Sequence, residues 1–245
     1  MNELYHHISE TASTNVLMKE MLRKKELPEG FVVHADFQSL GKGQGSNQWE
    51  SAKGKNLLFS LLLRPHHIAI EDQFILSQIV SLGIIDVLRD LFPDEKTEFS
   101  IKWPNDIYWQ DKKLGGILIE NTLQGRIINA SVIGTGLNIN QDEFCSDAPN
   151  PVSLKQITGK EFPIDLMLEA ITGNILRNYF EGSPELVREQ YMENLYRKTG
   201  YHSYRTDGKS FSAKIIDIEK DGRLMLEDVN GEVTGFYFKE IEFLP

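Results

Sequence analysis

The sequence predicts an α+β fold, in which a mixed, largely antiparallel sheet is flanked by helices and followed by a small C-terminal β-barrel. Three patterns support this prediction. Strand-like segments separated by short turns crowd residues 99–134. Residues 71–92 carry apolar side chains at helical spacing. Beyond Gly200 the chain changes to short alternating segments, which are typical of tight β-hairpins.

The N-terminal elements follow from apolar periodicity. Residues 13–15, Ser-Thr-Asn, precede an amphipathic pattern that starts at Val16, which predicts a short helix with polar residues at its N-terminus. Residues 31–37 alternate as a strand does, and the almost wholly apolar residues 56–63 predict a buried central strand. The glycine-rich segment between them should therefore join two strands. Residues 71–92 predict a helix long enough to cover one sheet face.

An antiparallel meander is predicted next. Strand candidates at residues 99–103, 107–109, 114–120 and 126–134 are separated by short polar turns. A second glycine-bearing turn, at residues 134–140, is expected to close the meander, and a loop rich in Pro, Asp and Asn follows it.

The last part of the chain contains two helix candidates and then three strand candidates. These elements are helices at residues 164–180 and 184–198, and strands at residues 210–218, 223–228 and 233–238. The closely spaced hairpins predict the small barrel. We therefore expect two domains, a large one over residues 1–198 and a β domain over residues 199–245.

Composition excludes several classes of protein. With 245 residues, 40% of them apolar, the chain can bury a substantial core. A formal net charge of −10 argues against a nucleic-acid binder, because neutralising phosphates requires a basic surface. The single cysteine, Cys145, excludes an internal disulfide and fits a reducing cytoplasm. Neither export nor membrane insertion is expected, and no metal-ligand spacing stands out.

Two motifs indicate chemistry on a carboxylate and a nucleotide phosphate. The run at residues 41–49, Gly-Lys-Gly-Gln-Gly-Ser-Asn-Gln-Trp, combines small residues that let backbone N–H groups approach an anion with a cation inside the loop. Some sixty residues later, the run Lys102-Trp103-Pro104-Asn105-Asp106 places a lysine at a strand end. The P-loop motif is not satisfied, because Asn56 follows Gly54-Lys55 where Ser or Thr is required. The dinucleotide fingerprint is not satisfied either, because Ser46 stands where its third glycine is required after Gly41 and Gly43.

In this order and at this spacing the motifs resemble those of biotin–protein ligases, also called holocarboxylase synthetases, and the match extends over nearly the whole chain. The segments that carry the resemblance are residues 13–15, Gln38, residues 41–49, 54–60, 102–106, 113–120 and 134–140. Because the pattern begins within the first fifteen residues, we expect the monofunctional type without an N-terminal DNA-binding domain, and no repressor role.

The resemblance implies an ATP-dependent reaction in two steps. Biotin's carboxylate attacks the α-phosphorus of ATP to give biotinyl-5′-AMP and pyrophosphate, and a lysine of a biotin carboxyl carrier protein then attacks the mixed anhydride. It also implies a class II synthetase-like catalytic domain with an SH3-like C-terminal domain. Mg²⁺ is expected to enter with ATP, held mainly by phosphates and water. The family also includes homodimers joined edge to edge, and an edge of the meander could serve in this way.

The resemblance also assigns roles to residues. Lys102 is expected to contact the biotin carboxyl and the α-phosphate, and Lys42 to stabilise the phosphates from the glycine-rich loop. The expected biotin-binding residues are Ser13, Thr14, Asn15, Gln38, Gly41, Lys42, Gly43, Gln44, Lys102, Gly115 and Gly116. The expected ATP-binding residues are Lys42, Gln44, Trp49, Lys102, Asn105 and Asn138. Asp106 is expected to orient the acceptor lysine, although it and Asn138 also fit ordinary turns.

Ordinary structural roles remain open for several of these residues. Residues 13–15 fit a helix cap, and a cap and a ligand role can coexist. Trp49 and Trp103 fit a pocket wall or the core, since tryptophan is often buried. The glycines at 115–116 fit a β-bulge as well as a close approach to biotin. Lys102 itself fits a solvated lysine at a strand end.

The glycine-rich loop departs from the commonest family pattern, Gly-Arg-Gly-Arg-Arg-Gly-Arg. Lys42 keeps one cation, but the three other arginine positions of that pattern are neutral here, with Gln44, Gly45 and Asn47, and Ser46 replaces its last glycine. Each lost contact could cost on the order of 1 kcal/mol, about fivefold in affinity. We therefore predict weaker retention of the adenylate than in arginine-rich relatives, which the measured release rate would test.

Three other functions compete with biotin ligation. A lipoate–protein ligase or octanoyl transferase shares the fold and the transfer to lysine, but the motif set matches the biotin branch better. A bifunctional repressor would need a preceding DNA-binding segment. A binding protein without catalysis would retain affinity and show no turnover, and Lys102 argues against it. Cys145 has no neighbouring histidine in sequence, so we interpret it as a spectator.

Overall fold

A seven-stranded sheet forms the centre of the larger part of the chain in the computed structural model, which describes residues 4–45, 47–93, 98–145 and 150–245. The strands lie in the order β1-β2-β3-β7-β6-β5-β4, and only β1 and β2 pair in parallel. Their bounds are β1 Tyr5–Ile8, β2 Val32–Ala35, β3 Leu57–Leu63, β4 Phe99–Lys102, β5 Asp106–Trp109, β6 Lys112–Gln124 and β7 Ile127–Leu137. The prediction of a mixed, largely antiparallel sheet is confirmed.

Helices cover both faces of this sheet. They are α1 Thr14–Lys24, α2 Ile75–Leu91, α3 Leu154–Thr158, α4 Ile164–Glu181 and α5 Pro184–Glu193, with a short 3-10 helix at Ile70–Asp72. Phe59 and Leu61 of β3 pack in the large apolar cluster with α2 and α4, whereas Leu62 packs in a smaller one with Met18 of α1. Neighbouring strand residues point to opposite faces, and because both faces are covered, every residue of β3 is buried, as predicted.

Two elements end where the sequence did not predict. The expected turn at residues 134–140 is wrong in its first half, because residues 134–137 continue β7 and pair with β3 and β6. The helix expected at residues 184–198 ends at Glu193. There the chain leaves the helix to bond the edge of β4, with the Ile101 N–H donating to the Asn194 carbonyl and the Tyr196 N–H donating to the Ile101 carbonyl.

A second, five-stranded antiparallel sheet follows, in the order β11-β10-β9-β8-β12. Its strands are β8 His202–Thr206, β9 Lys209–Ile218, β10 Leu224–Asp228, β11 Val233–Phe236 and β12 Glu242–Phe243. Together the two sheets confirm the predicted fold class. Tyr204 and Leu224 belong to the same apolar cluster as α2. The core therefore continues across residue 198, and the division into two domains stays a prediction.

Candidate active site

One cavity gathers most of the residues that the sequence singled out. It occupies about 730 Å³, part of which is open to solvent, between the start of α1, the glycine-rich loop and the strands β5, β6 and β7. The expected site residues that line it are Ser13, Thr14, Asn15, Gln38, Lys42, Gly43, Gln44, Trp49, Asn105, Asp106 and Gly116. Gly41, Lys102, Gly115 and Asn138 do not line it. Ser46 of the loop lies outside the described residues.

A chain of hydrogen bonds forms the polar floor at the α1 end of the cavity. Gln38 Oε1 accepts from the Thr14 N–H at 2.7 Å and lies 3.1 Å from the Thr14 hydroxyl. The Ser60 hydroxyl, which is fully buried on β3, lies 2.8 Å from Thr14 Oγ1 and 2.6 Å from Asn15 Oδ1. Ser13 starts α1 but makes no capping side-chain bond, and it lines the cavity instead. This floor is neutral and offers both donors and acceptors.

A lysine that the sequence reading missed lies at the opposite end. Lys113 Nζ donates to Asp106 Oδ2 at 2.7 Å, and both residues line the cavity while their side chains stay about three-quarters buried. The register between β5 and β6 shifts beside it, since Ile107 pairs with Gly115 and Tyr108 pairs with Lys113. Leu114 is therefore the extra residue of a β-bulge, a feature that re-aims side chains next to active sites.

Lys102, by contrast, lies beside the cavity and not in it. Its ammonium is 3.1 Å from the Tyr108 hydroxyl and lies 4.8 Å and 5.2 Å from the ring centres of Tyr108 and Phe243. Burial lowers the pKa of Lys102, with Asp106 acting in the opposite direction. The expected contact of Lys102 with the substrate carboxyl is thus not supported by its position, because cation–π contacts hold it among aromatic rings. Lys113 lines the cavity where Lys102 was expected to do so.

Glycines allow close packing around the cavity. A Cβ at Gly136 would lie 2.6 Å from the Trp49 indole, and one at Gly134 would overlap the Asn15 amide. Gly116 faces the cavity, where a Cβ would lie 3.3 Å from Asp106 Oδ1. Gly115 follows the bulge residue Leu114 and packs against Leu137 of β7, away from the cavity. Gly134 and Gly136 therefore allow the side chains of Asn15 and Trp49 to pack directly against the sheet.

The glycine-rich loop folds back on itself over the cavity. The Gly43 N–H donates to the Asn47 carbonyl at 2.8 Å, and the Trp49 N–H donates to the Gly41 carbonyl at 2.9 Å. Gln44 and Trp49 line the cavity, and Gln44 Oε1 and Trp49 Nε1 are buried without a hydrogen-bond partner among the described residues. Buried polar atoms left unpaired cost stability, so their position at the cavity favours a ligand that pairs with them.

Two candidate residues make structural hydrogen bonds, and the expected role of Asn138 in ATP binding stays a prediction. Asn138 is buried and its Nδ2 donates to the Val152 carbonyl at 3.2 Å, away from the cavity lining. Trp103 is also buried and donates from Nε1 to the Gly222 carbonyl at 2.9 Å. The second bond joins the motif at residues 102–106 to the C-terminal sheet, which explains why this tryptophan belongs to the core.

The C-terminal sheet contributes a residue to the cavity that the sequence did not reveal. Phe238 lines the cavity from the turn after β11, and its ring packs edge-on against Trp103 at 6.5 Å. The neighbouring Lys239 has a φ of 74° and places its ammonium against Gly45 of the glycine-rich loop. No local pattern marks this contact, because it joins residues that lie far apart in the sequence.

The cavity thus separates two kinds of chemistry. The floor can bind a neutral polar group, whereas Lys113 supplies positive charge at the other end, where an anion would be stabilised. Lys42 adds a second cation to the cavity lining. Within the described ranges, no group of three or more His, Cys, Asp or Glu side chains could hold a metal ion. None of the helices described there combines the length and apolar character needed to cross a lipid bilayer.

Comparison with known proteins identifies a family and several relatives that match this chain. The model of the biotin/lipoate A/B protein ligase family matches residues 8–138. Over 250 aligned positions the chain is 29% identical to the bifunctional ligase/repressor BirA of Bacillus subtilis, covering 98% of this chain and 73% of that protein. It is 25% identical to the biotin–[acetyl-CoA-carboxylase] ligase of Mycobacterium tuberculosis, covering 93% and 84% of the two chains.

Solved structures share the fold. The biotin protein ligase of Aquifex aeolicus, determined in complex with biotin and ATP, superposes with a TM-score of 0.78 at 24% identity over 98% of both chains. The biotin protein ligase of Leishmania major in complex with biotinyl-5-AMP gives a TM-score of 0.69 at 23% identity, covering 97% of this chain and 100% of that one.

Proposed function

The chain belongs to the biotin/lipoate A/B protein ligase family, and from this we propose that it is a biotin–protein ligase that activates biotin with ATP and transfers it to a lysine of a carrier protein. The observation that carries the proposal is the cavity itself, with a neutral hydrogen-bonding floor at one end and the Lys113–Asp106 pair at the other. Relatives named as biotin–protein ligases support biotin as the acid.

The proposed first step is adenylation. The biotin carboxylate attacks the α-phosphorus of ATP, the bond to the β-phosphate oxygen breaks, and biotinyl-5′-AMP and pyrophosphate are formed. Two anions must approach each other in this step, so cations fixed in the site lower its barrier. Lys113 and Lys42 line the cavity and would supply that charge, while Trp49 and the folded loop would exclude water from the adenylate.

The floor would bind the ring end of biotin. Thr14 and Gln38 present a hydroxyl and a side-chain amide, which suit the N–H and C=O groups of a cyclic urea. Because the Thr14 N–H donates to Gln38 Oε1, the amide nitrogen of Gln38 is the group left for other partners. This end would set the specificity for the acid.

The proposed second step is transfer. The uncharged amine of the acceptor lysine attacks the carbonyl carbon of biotinyl-5′-AMP, AMP leaves, and an amide bond forms. Asp106 lies at the cavity and is paired with Lys113, so it is placed to orient an incoming ammonium group and to take part in its deprotonation. Mg²⁺ would arrive with ATP and compensate the charge of its phosphates.

The proposed partner is a biotin carboxyl carrier domain of a biotin-dependent carboxylase, in the cytoplasm, without a role in nucleic-acid binding. For a homodimer the β4 edge of the meander is a poor candidate, because residues 194–196 already bond to it. Residues 117–124 of β6 pair with β7 and not with β5, so the meander keeps an edge there. Among the described residues, β1 pairs only with β2 and leaves a sheet edge open. A dimer, where one forms, would use one of these two edges.

A transfer assay tests the proposal. Purified protein, Mg-ATP and biotin are mixed with a recombinant carrier domain, and modification is followed by avidin blot and intact mass. Biotin should appear on one lysine and disappear when that lysine is changed to arginine. A carrier that stays unmodified with biotin but is modified with lipoate would contradict the proposed function.

A further inference from the structure

A carboxylate outside the cavity ends the hydrogen-bonded chain of its floor. Glu120 of β6 accepts from Asn15 Nδ2 at 2.9 Å through one oxygen and from Lys19 Nζ at 2.6 Å through the other. Its side chain is about two-thirds buried and does not line the cavity. Glu120 therefore reaches the floor through Asn15, and its charge also acts on Lys42, which lines the cavity.

The carboxylate of Glu120 allows the side-chain amide of Asn15 only one orientation. An ionised carboxylate only accepts hydrogen bonds, so the group facing Glu120 must be the amide nitrogen of Asn15. The Leu118 carbonyl, which also only accepts, lies 3.3 Å from the same nitrogen. Both N–H groups of Asn15 are thus directed at acceptors, and Oδ1 is turned towards Ser60 at 2.6 Å.

This orientation is transmitted to the cavity through Ser60. Ser60 has one hydroxyl proton, and Asn15 Oδ1 takes it because that oxygen can only accept. The Thr14 hydroxyl, 2.8 Å away, is the other acceptor within reach of the same Ser60 proton, while its own proton donates to Gln38 Oε1. If the Asn15 amide were reversed, its nitrogen would donate to Ser60, and the Ser60 proton would turn towards Thr14. The pattern of donors and acceptors at two cavity-lining residues would change.

We propose that Glu120 is a positioning residue that fixes the donor and acceptor pattern of the floor and thereby the affinity for biotin. The inference deepens the proposed function and rests on it for the identity of the ligand. Gly134 packs so closely against Asn15 that the amide has little room to shift, so reversal in place is its main alternative. Burial acts to raise the pKa of Glu120, but the hydrogen bonds from Lys19 and Asn15 outweigh it and lower the pKa, which keeps the carboxylate ionised at neutral pH.

The substitution Glu120→Gln tests the inference because Lys19 determines how the new amide lies. Lys19 only donates, so it retains the oxygen of the introduced amide and turns the nitrogen of that amide towards Asn15. Two donors then face each other, and the Asn15 amide must reverse. Biotin affinity, measured by calorimetry, should fall by about tenfold to a hundredfold, while kcat for pyrophosphate exchange stays within about twofold. A merely structural role of Glu120 would not separate KM from kcat in this way.

A reciprocal exchange supplies the rescue. Asn15→Asp alone places two carboxylates together and should weaken binding, since like charges repel. Combining it with Glu120→Gln puts an acceptor at position 15 that accepts from the introduced glutamine on one side and from Ser60 on the other. The double variant should bind biotin within about fivefold of the original protein, and thus more tightly than either single variant. Lys19→Met keeps the carboxylate and is the matched control, with affinity expected within about threefold.

The outcomes are distinguishable. Binding by Glu120→Gln that equals that of the original protein overturns the inference and leaves the proposed function intact, as does a double variant no better than the single ones. An original protein that binds lipoate and not biotin overturns the proposed function and this inference with it. Thermal unfolding of all four variants separates loss of fold from loss of binding, and the double variant keeps the test valid if a single one unfolds.

Discussion

At the scale of single residues, Lys102 and Lys113 differ in what surrounds them. Lys102 is directed into aromatic rings, whereas Lys113 faces the cavity and pairs with Asp106. The sequence analysis assigned the catalytic role to Lys102 because this lysine lies in the distinctive motif of residues 102–106. The different surroundings of the two lysines depend on a bulge at Leu114 and on the packing of Phe243, and neither is visible in a local pattern.

Replacing each lysine by methionine should therefore have unequal effects. Lys113→Met removes the cation at the reacting end, and kcat/KM for biotin-dependent pyrophosphate exchange should fall at least about a hundredfold. Lys102→Met keeps the aliphatic stem in its aromatic surroundings and should cost no more than about tenfold. Exchange kinetics of the two variants are the measurement, and a larger loss for Lys102→Met would return the catalytic role to that residue.

Gly136 is a second residue whose role the structure makes testable. Gly136→Ala places a methyl group 2.6 Å from the Trp49 indole, so the ring must move, and the free energy of unfolding should drop by about 1–3 kcal/mol. Gly173→Ala is the matched control, because that helical glycine is exposed with open space around it and should gain about 0.5–1 kcal/mol. Urea denaturation compares them, and equal effects would show that Trp49 is not held against the sheet.

At the scale of elements, the serines at the N-cap positions of α1 and α5 have different roles. The Ser183 hydroxyl accepts from the Leu186 N–H and caps α5, whereas Ser13 begins α1 without such a bond and faces the cavity. The sequence alone left both roles open for Ser13. The ability of a serine to cap a helix can be predicted from the local sequence. Whether its hydroxyl faces a cavity instead depends on what the rest of the fold places nearby.

The two serines should accordingly separate stability from binding. Ser183→Ala should lower the free energy of unfolding by about 1 kcal/mol and leave biotin affinity unchanged. Ser13→Ala should leave stability within about 0.5 kcal/mol and weaken biotin binding several-fold, about 1 kcal/mol. Thermal unfolding and calorimetry measure the two quantities, and a Ser13→Ala protein that loses stability but not affinity would restore the capping role.

The turn after β11 acts as part of the site although it belongs to the second sheet. Phe238 forms an apolar wall of the cavity, so Phe238→Ala should open the cavity to water and speed the release of biotinyl-5′-AMP several-fold, corresponding to about 1 kcal/mol. Phe180→Ala, which removes an exposed ring of α4 that does not line the cavity, is the control. Release followed by rapid filtration at an unchanged rate would exclude Phe238 from the wall.

At the scale of the whole molecule, the half-buried carboxyl of Asp86 predicts how stability depends on pH. Burial raises the pKa of Asp86, so its ionised form is disfavoured in the folded protein and destabilises it at neutral pH. That penalty is complete above the folded pKa and disappears as pH falls below the ordinary value of about 3.9. Asp86→Asn should therefore be more stable than the original protein at neutral pH and lose this advantage in acid. Denaturation at neutral and at acid pH measures the difference in stability. A stability advantage of Asp86→Asn that grew as pH fell would contradict the account.

The large elements of the fold were predictable because they depend on the spacing of apolar residues along the sequence. The uniform apolar run of β3 and the helical spacing of α2 indicate buried elements whatever their neighbours are. The strands β1 and β12 are four and two residues long and carry no such signal, since pairing with β2 and β8 defines them. Short strands depend on partners far along the chain, so sequence reading missed them.

The site was predictable where a motif is contiguous and not where the fold assembles it. The glycine-rich loop and Asp106 reach the cavity as expected. Lys113, Phe238 and the positioning of Asn15 depend on a bulge, a distant sheet and a cross-strand contact. The glycines of residues 134–136 suggested a turn, yet they are strand glycines that make room for neighbouring side chains.

ATP–pyrophosphate exchange with the purified protein, comparing biotin, lipoate, octanoate and no acid, tests the central claim most directly. It reports formation of the adenylate without needing the carrier protein. Biotin alone should support exchange, and Lys113→Met should reduce it at least about a hundredfold, because in the proposed function the floor selects the acid and Lys113 stabilises the reacting anions. Exchange with lipoate or octanoate in place of biotin, or with no acid at all, would contradict the account.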